Sequence, residues 1–157
     1  MKIKQNVNLV KSLKFTNKDQ ILSLTSLTTF SILGLILSTK VIQNIKSTNP
    51  ILIISAIFLS LLTADLLSGL LHWSADTWGS LKTPLIGRTL IRGFREHHID
   101  QKAITKHSFI ETNGHATLAG IPFQILALFT SNFVLTYLFL LSIWAPLTNQ
   151  FHKWAHT

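Results

Sequence analysis

The sequence predicts an all-α protein: an integral membrane helical bundle of about four transmembrane helices with a cytoplasmic His-rich loop. Three observations carry that prediction. Of the 157 residues, 47% are hydrophobic and only 13% are charged, against about 25% charged in an ordinary soluble domain. From Thr112 to His152 there is no Asp, Glu, Lys or Arg, a gap of 41 residues that would leave a soluble surface without its usual charge. Several uncharged runs also approach the length needed to cross a hydrocarbon core of about 30 Å.

Residues 1–19 read as a basic tail with five lysines, suited to anionic lipid headgroups; its lack of arginine disfavours a transit peptide. Ile21 to Thr39 is nineteen residues without charge, about 28 Å as a helix, and is expected to be the first span. Lys40 to Pro50 is expected to be a short loop. Ile51 to Trp73 is the second span, interrupted only by Asp65. Ser74 to Gly114 reads as a polar loop with six Lys/Arg against four Asp/Glu. Ala116 to Leu147 is 32 uncharged residues, about 48 Å as one helix and too long for a single span. A break at Ser131–Asn132 would give two short spans, near 114–130 and 133–149, or a re-entrant hairpin. There are no internal repeats.

With the N-terminus inside, twelve of the fourteen basic residues face the inner side and only Lys40 and Lys46 the outer, as the positive-inside rule favours. All seven histidines then lie on the cytoplasmic side, at the endoplasmic reticulum in a eukaryote or the inner membrane in a bacterium. The net charge of +8 does not point to nucleic acid, because the basic residues flank apolar segments and no aromatic platform for bases accompanies them. With no cysteine, disulfides, thiolate-held iron–sulfur clusters and cysteine zinc sites are excluded. Any metal must be held by imidazole and carboxylate.

The stretch from Asp65 to Gly114 holds five of the six acidic residues together with His72, His97, His98 and His107. Asp65, His72 and Asp76 are spaced i, i+7, i+11, one face of a helix that continues past the second span. Asp65 then lies about 10 Å deeper than His72. An ionisable group inside a span is costly and is a functional candidate by default, although a protonated or hydroxyl-bonded aspartate would serve equally. In Phe94-Arg95-Glu96-His97-His98, adjacent helical residues point about 100° apart, so the two histidines do not easily bind one ion. They can serve two neighbouring ions, or one can bind while the other hydrogen-bonds. His152 and His156 are spaced i, i+4, which puts both imidazoles on one helical face. Three histidine groups at one membrane surface make a metal site the stronger reading; the plain alternative is interfacial anchoring by His and Trp. His107 and His115 fit no pattern and read as solvated loop residues. Gly87 and Gly93 lack the strand and Lys-Ser/Thr of a phosphate loop, and Ser68 and Ser74 beside His72 have no oxyanion feature.

The strings ADLLSGLLHWSADTWGS, PLIGR, FREHHID, AIT, FIETNG and TNQFHKWAHT resemble the Kua family of membrane lipid desaturases. The resemblance runs from about Ala64 to Thr157. Plant members acting on chloroplast phosphatidylglycerol share the scaffold; FREHH and FIETNG are more similar to the ether-lipid branch, which forms the vinyl ether bond of plasmalogens. The resemblance implies two irons held by histidines: His72, His97, His98, His152 and His156, with Asp65, Asp76 and Glu96 in support. It also implies a membrane phospholipid substrate, O2 as oxidant and a cytochrome b5-type or ferredoxin electron donor. The headgroup is expected near Arg88, Arg92 and Arg95. Imidazole suits iron, and two irons with O2 and two electrons can supply the strong oxidant that an unactivated C–H bond demands.

Family members continue beyond HKWxH into a segment with a further histidine cluster. Residues 20–157 are therefore expected to be the N-terminal part of the desaturase domain and to be inactive alone. Three further readings stand beside the ether-lipid one: an acyl-phospholipid fatty acid desaturase of the same family, a proton-relay transporter using Asp65 and His72, and a membrane fragment without enzymatic activity.

Overall fold

The computed structural model describes residues 14–84 and 86–157. Most of the predicted basic tail lies outside the described residues, and its end, Asn17 to Asp19, forms the first turn of a helix. That helix, α1 (Asn17–Ile45), starts on a capping box in which Thr16 Oγ1 accepts from the Asp19 N–H while the Asp19 carboxylate accepts from the Thr16 N–H. This arrangement satisfies two of the donors that a helix start leaves open. α2 (Pro50–Trp78) follows a turn of only four residues, with Asn49 capping the Ile51 N–H at 2.9 Å and Pro50 in the first turn, where proline's missing donor costs nothing.

The connecting region contains α3 (Arg92–Ile99), entered through a π-helical turn over Gly87–Ile91, then α4 (Ala103–Lys106) and α5 (Phe109–Asn113). α6 (Ala116–Leu128) and α7 (Asn132–Ala155) complete the described chain. It is an all-helical membrane bundle. α1, α2 and α7 have 29, 29 and 24 residues and are long and apolar enough to cross a membrane. α7 packs against both α2 and α6, and α1 packs against α6. The compact apolar cluster is small: Leu37, Val41, Ala127 and Leu135, flanked by Leu128, Leu138 and Phe139. Many large side chains point outward instead, Leu35, Ile51, Phe58 and Leu62 among them, which is favourable only against lipid.

With apolar surface turned to lipid, small and polar residues do much of the holding between helices. Ser26 and Thr117 share a 2.6 Å hydrogen bond between α1 and α6, and Tyr137 donates to Thr63 at 2.9 Å between α7 and α2. Gly120 lets α6 approach closely: a Cβ there would fall 2.6 Å from both the Phe30 ring and the Ser142 carbonyl. At the far end, the Asn44 amide grips both backbone polar groups of Asn132 at 2.8 and 2.9 Å, and Lys40 donates to the Leu128 carbonyl at 2.6 Å. Asn132 has a φ of 52°, a left-handed turn conformation that Asn tolerates.

Three sequence expectations differ from the structure. The Lys40–Pro50 loop is shorter, because α1 continues to Ile45 and Lys40 serves as a helical residue that bonds across to α6. The Ser74–Gly114 loop is largely helical: α2 runs on to Trp78 and three short helices follow. The third predicted span is only the 13 residues of α6, about 20 Å, because a turn at Gly114–His115 and the break at Phe129–Ser131 take up both ends of the predicted 114–130 segment. The predicted break at Ser131–Asn132 is present, with Ser131 as the N-cap of α7.

Candidate metal centre

α2 and α7 run in the same direction, and their C-terminal turns bring His72, Asp76, His152 and His156 to one end of the bundle. α3 lies across that end and contributes His97 and His98. One group consists of His97, His152 and His156, and the other of His72, Asp76 and His98; within each, the candidate ligand atoms lie within 4.8 Å of one another. In the first group His97 Nε2 and His152 Nε2 are 3.2 Å apart, and the rings of His97, His152 and His156 are separated by 4.5 to 4.9 Å between centroids. Two ligands on one ion with metal–nitrogen bonds of about 2.1 Å are separated by roughly 3.0–3.4 Å, so this spacing suits a shared ion.

In the second group a single oxygen, Asp76 Oδ2, lies 3.2 Å from His72 Nε2 and 2.8 Å from His98 Nε2. The other oxygen, Asp76 Oδ1, is buried and has no hydrogen-bond partner among the described residues. A buried carboxylate oxygen without a partner is costly, and on a carboxylate whose other oxygen already meets two imidazoles it suits coordination to a cation. Four of the five histidine ligand candidates are thus joined by a carboxylate or a second imidazole at hydrogen-bond range, and the nitrogen–oxygen donor set is one that iron accepts.

His97 and His98 go to different groups, the outcome that their 100° offset allows. Their rings are 6.4 Å apart between centroids, so the two groups are immediate neighbours. Burial lowers the His97 imidazole below its ordinary value, and the neighbouring His156, His98 and His72 add to that effect. The neutral form, the one that binds metal, is therefore favoured.

The remaining predicted residues have varied surroundings. Asp65 is exposed on the outer face of α2 and lines, with Ser68, Gly69, His72, Trp73 and Asp76, an open groove of about 530 Å³. Glu96 turns away from both groups toward His107, with Glu96 Oε2 and His107 Nε2 3.3 Å apart. Among the three predicted headgroup arginines only Arg88 is exposed, beside Thr16, Asn17, Lys18 and Asp19. Arg92 is buried and bound to Glu111 Oε1 at 2.7 Å. Arg95 donates to the backbone carbonyls of Asp76 and Gly79 at 3.0 and 3.4 Å, tying α3 to the end of α2. Phe94 stacks on His72 at 4.3 Å between centroids.

His107 and His115 are not the solvated residues that the sequence suggests. His107 sits between Glu96 and Glu111, and His115 Nδ1 is 3.0 Å from Ser23 Oγ in the contact between α1 and α6. Neither belongs to a ligand group. Sequence reasoning also passed over Phe94 and Glu111; the only signal for them was their place in the FREHH and FIETNG strings.

The lipid desaturase domain family matches residues 61–157. The chain belongs to that family. This desaturase-family chain is similar to plasmanylethanolamine desaturase of Myxococcus xanthus, 48% identical over 111 residues covering 67% of this chain and 40% of that protein. It is 46% identical to plasmanylethanolamine desaturase 1 of Mus musculus over 117 residues, 68% of this chain and 43% of the relative. It is also 37% identical to the chloroplastic fatty acid desaturase 4 of Arabidopsis thaliana over 100 residues, 59% of this chain and 29% of the relative. The desaturase-family chain thus spans well under half the length of these curated relatives. No solved structure matches it. The family interval begins inside α2, contains both ligand groups and excludes α1.

Proposed function

We propose that the chain provides ligands for the two-iron centre of a membrane lipid desaturase, which introduces a double bond next to the ether oxygen of an alkyl-ether phospholipid. The observation that supports this reading best is the pair of adjacent ligand groups, His97/His152/His156 and His72/Asp76/His98, at one end of an apolar bundle. The ether-lipid substrate is favoured over an acyl lipid by the 48% and 46% identity to relatives named for plasmanylethanolamine. The 37% identity to a fatty acid desaturase supports acyl-lipid desaturation as the second reading.

In this reading a bound iron pair supplies, with O2, two protons and two electrons from a cytochrome b5-type or ferredoxin donor, the oxidising power to remove two hydrogens from the substrate, with two waters formed. The chain's own residues hold that chemistry in place. His97, His152 and His156 bind as neutral imidazoles, while Asp76 contributes the negative charge that offsets metal charge in the second group. The outward apolar faces of α1, α2 and α7 keep the chain in the bilayer with its substrate, and Arg88, with Lys18 beside it, meets the phosphate headgroup. The N-terminus and both ligand groups face the cytoplasm, in keeping with the charge bias of the sequence.

Elemental analysis of the purified chain, paired with mass spectrometry of vinyl-ether lipids from cells expressing it, tests the proposal. About two irons per chain are expected. Undiminished iron in a chain carrying both His72→Ala and His97→Ala would refute the site. Vinyl-ether formation by these 157 residues alone, in cells otherwise lacking it, would assign them the complete activity.

A further inference from the structure

The two ligand groups depend on two different seams. The His72/Asp76/His98 group joins α2 to α3, and that seam is held directly by Arg95 at the Asp76 and Gly79 carbonyls and by Phe94 on His72. The His97/His152/His156 group joins α3 to α7. Besides the imidazoles themselves, polar links across this seam run among the described residues through the segment from His107 to Asn113.

On the α3 side, Arg92 is buried and its guanidinium lies 2.7 Å from Glu111 Oε1 and 4.0 Å from Glu96 Oε2. His107 Nε2 lies 3.3 Å from Glu96 Oε2 and 3.8 Å from Glu111 Oε1. On the α7 side, the Asn113 amide donates to Gln150 Oε1 at 2.6 Å, the Asn149 amide donates to the Thr112 carbonyl, and Lys153 Nζ donates to the His107 carbonyl at 2.6 Å. Gln150 and Lys153 bracket His152 in sequence. Glu111, Thr112 and Asn113 are consecutive in α5, so one short helix reaches α3 through its carboxylate and α7 through its amide and carbonyl.

We propose that Glu111 is a positioning residue: through Arg92 it sets the placement of α3 against α7, and thereby of His97 against His152 and His156. This rests on the metal reading above. An ion pair with one buried member resists displacement because separating it strands a charge, and the adjoining hydrogen bonds limit the directions in which α3 can move. Outer partners of this kind commonly change metal affinity by about 10–100-fold when removed. The prediction is selective, because Glu111 has no part in the α2–α3 seam.

The test uses the full chain in detergent, loaded with Co(II) as a spectroscopic substitute for iron. Glu111→Gln should weaken one of two bound ions by about 10–100-fold, with loss of the absorption assigned to the all-imidazole group. The ion at the carboxylate-containing group should be retained. His97→Ala and His98→Ala supply the reference spectra for each group. General loss of structure would weaken both ions together, so equal loss at both groups overturns the proposal. Because Glu111→Gln leaves Arg92 with a weakened partner, the double variant Arg92→Gln/Glu111→Gln, which removes both members of the 2.7 Å pair and leaves Glu96 facing His107, serves as the second probe. It should melt closer to the unsubstituted chain and show the same selective defect. Undiminished binding in both variants overturns this inference alone; absence of metal from the unsubstituted chain overturns the metal reading and this inference with it.

Discussion

The two ligand groups use similar donors but are built in different ways. His72 and Asp76 lie on one continuous helix, four residues apart, and His98 reaches them across a seam pinned by backbone-directed bonds from Arg95. His152 and His156 also share one helix, but His97 meets them across a seam stabilised by side-chain pairs that include the partly buried Arg92–Glu111 ion pair. The first arrangement makes its group largely a property of α2. The second ties its group to His107 and to residues of α5 that touch no ligand. A site can therefore be robust on one side and adjustable on the other although the same two-residue step, His97-His98, feeds both.

Removing a ligand from either side should have the largest effect. His97→Ala and His98→Ala are each expected to abolish one metal site and lower iron content by about half, whereas the double variant should retain none; metal-to-protein ratios check this, and loss of nearly all the iron in either single variant would merge the two groups into one. Next comes the seam that Glu111 does not touch. Arg95→Gln should weaken the carboxylate-containing group by about 10-fold and leave the all-imidazole group intact, the mirror image of the Glu111 result, as read from the Co(II) spectra. If Arg95→Gln and Glu111→Gln affected the same ion, the division into two seams would be wrong.

The smallest effect lies outside both groups. His115 is held below its ordinary value by burial, with Arg92 acting in the same direction and Asp19 and Glu111 opposing. A histidine whose folded value lies below its unfolded value of 6.5 stays neutral in the fold while the unfolded chain takes up the proton. Its stabilising contribution is thus present above the unfolded value and is lost as pH falls through the folded one. His115→Gln should accordingly flatten the fall in melting temperature between about pH 7 and pH 5, and an unchanged slope would show that His115 does not titrate with unfolding.

The membrane helices were legible because hydropathy and charge gaps are local properties of the chain. So was the continuation of the second span through Asp76, since a spacing of i, i+7, i+11 needs only one helix to have meaning. The shortness of α6 was not legible, because an apolar run does not say how much of itself the turns at its ends will use. Arg92 read as a surface charge for a headgroup, and nothing nearby in sequence marked it as buried; its partner Glu111 is 19 residues away. His107 and His115 were misread for the same reason, their partners lying on other helices.

The sequence by itself determined the class of the protein, the neutral and acidic donors available for a metal, and the i, i+4 pair His152/His156. Those follow from composition and from a helical period that acts within a single element. The tertiary structure alone decided how the donors are shared out: His97 to a partner 55 residues away and His98 to one 22 residues back, with Glu111 and Arg92 closing the space between α3 and α7. Adjacent residues on one helix must face different ways, and only the packing of other helices around them determines what each will meet.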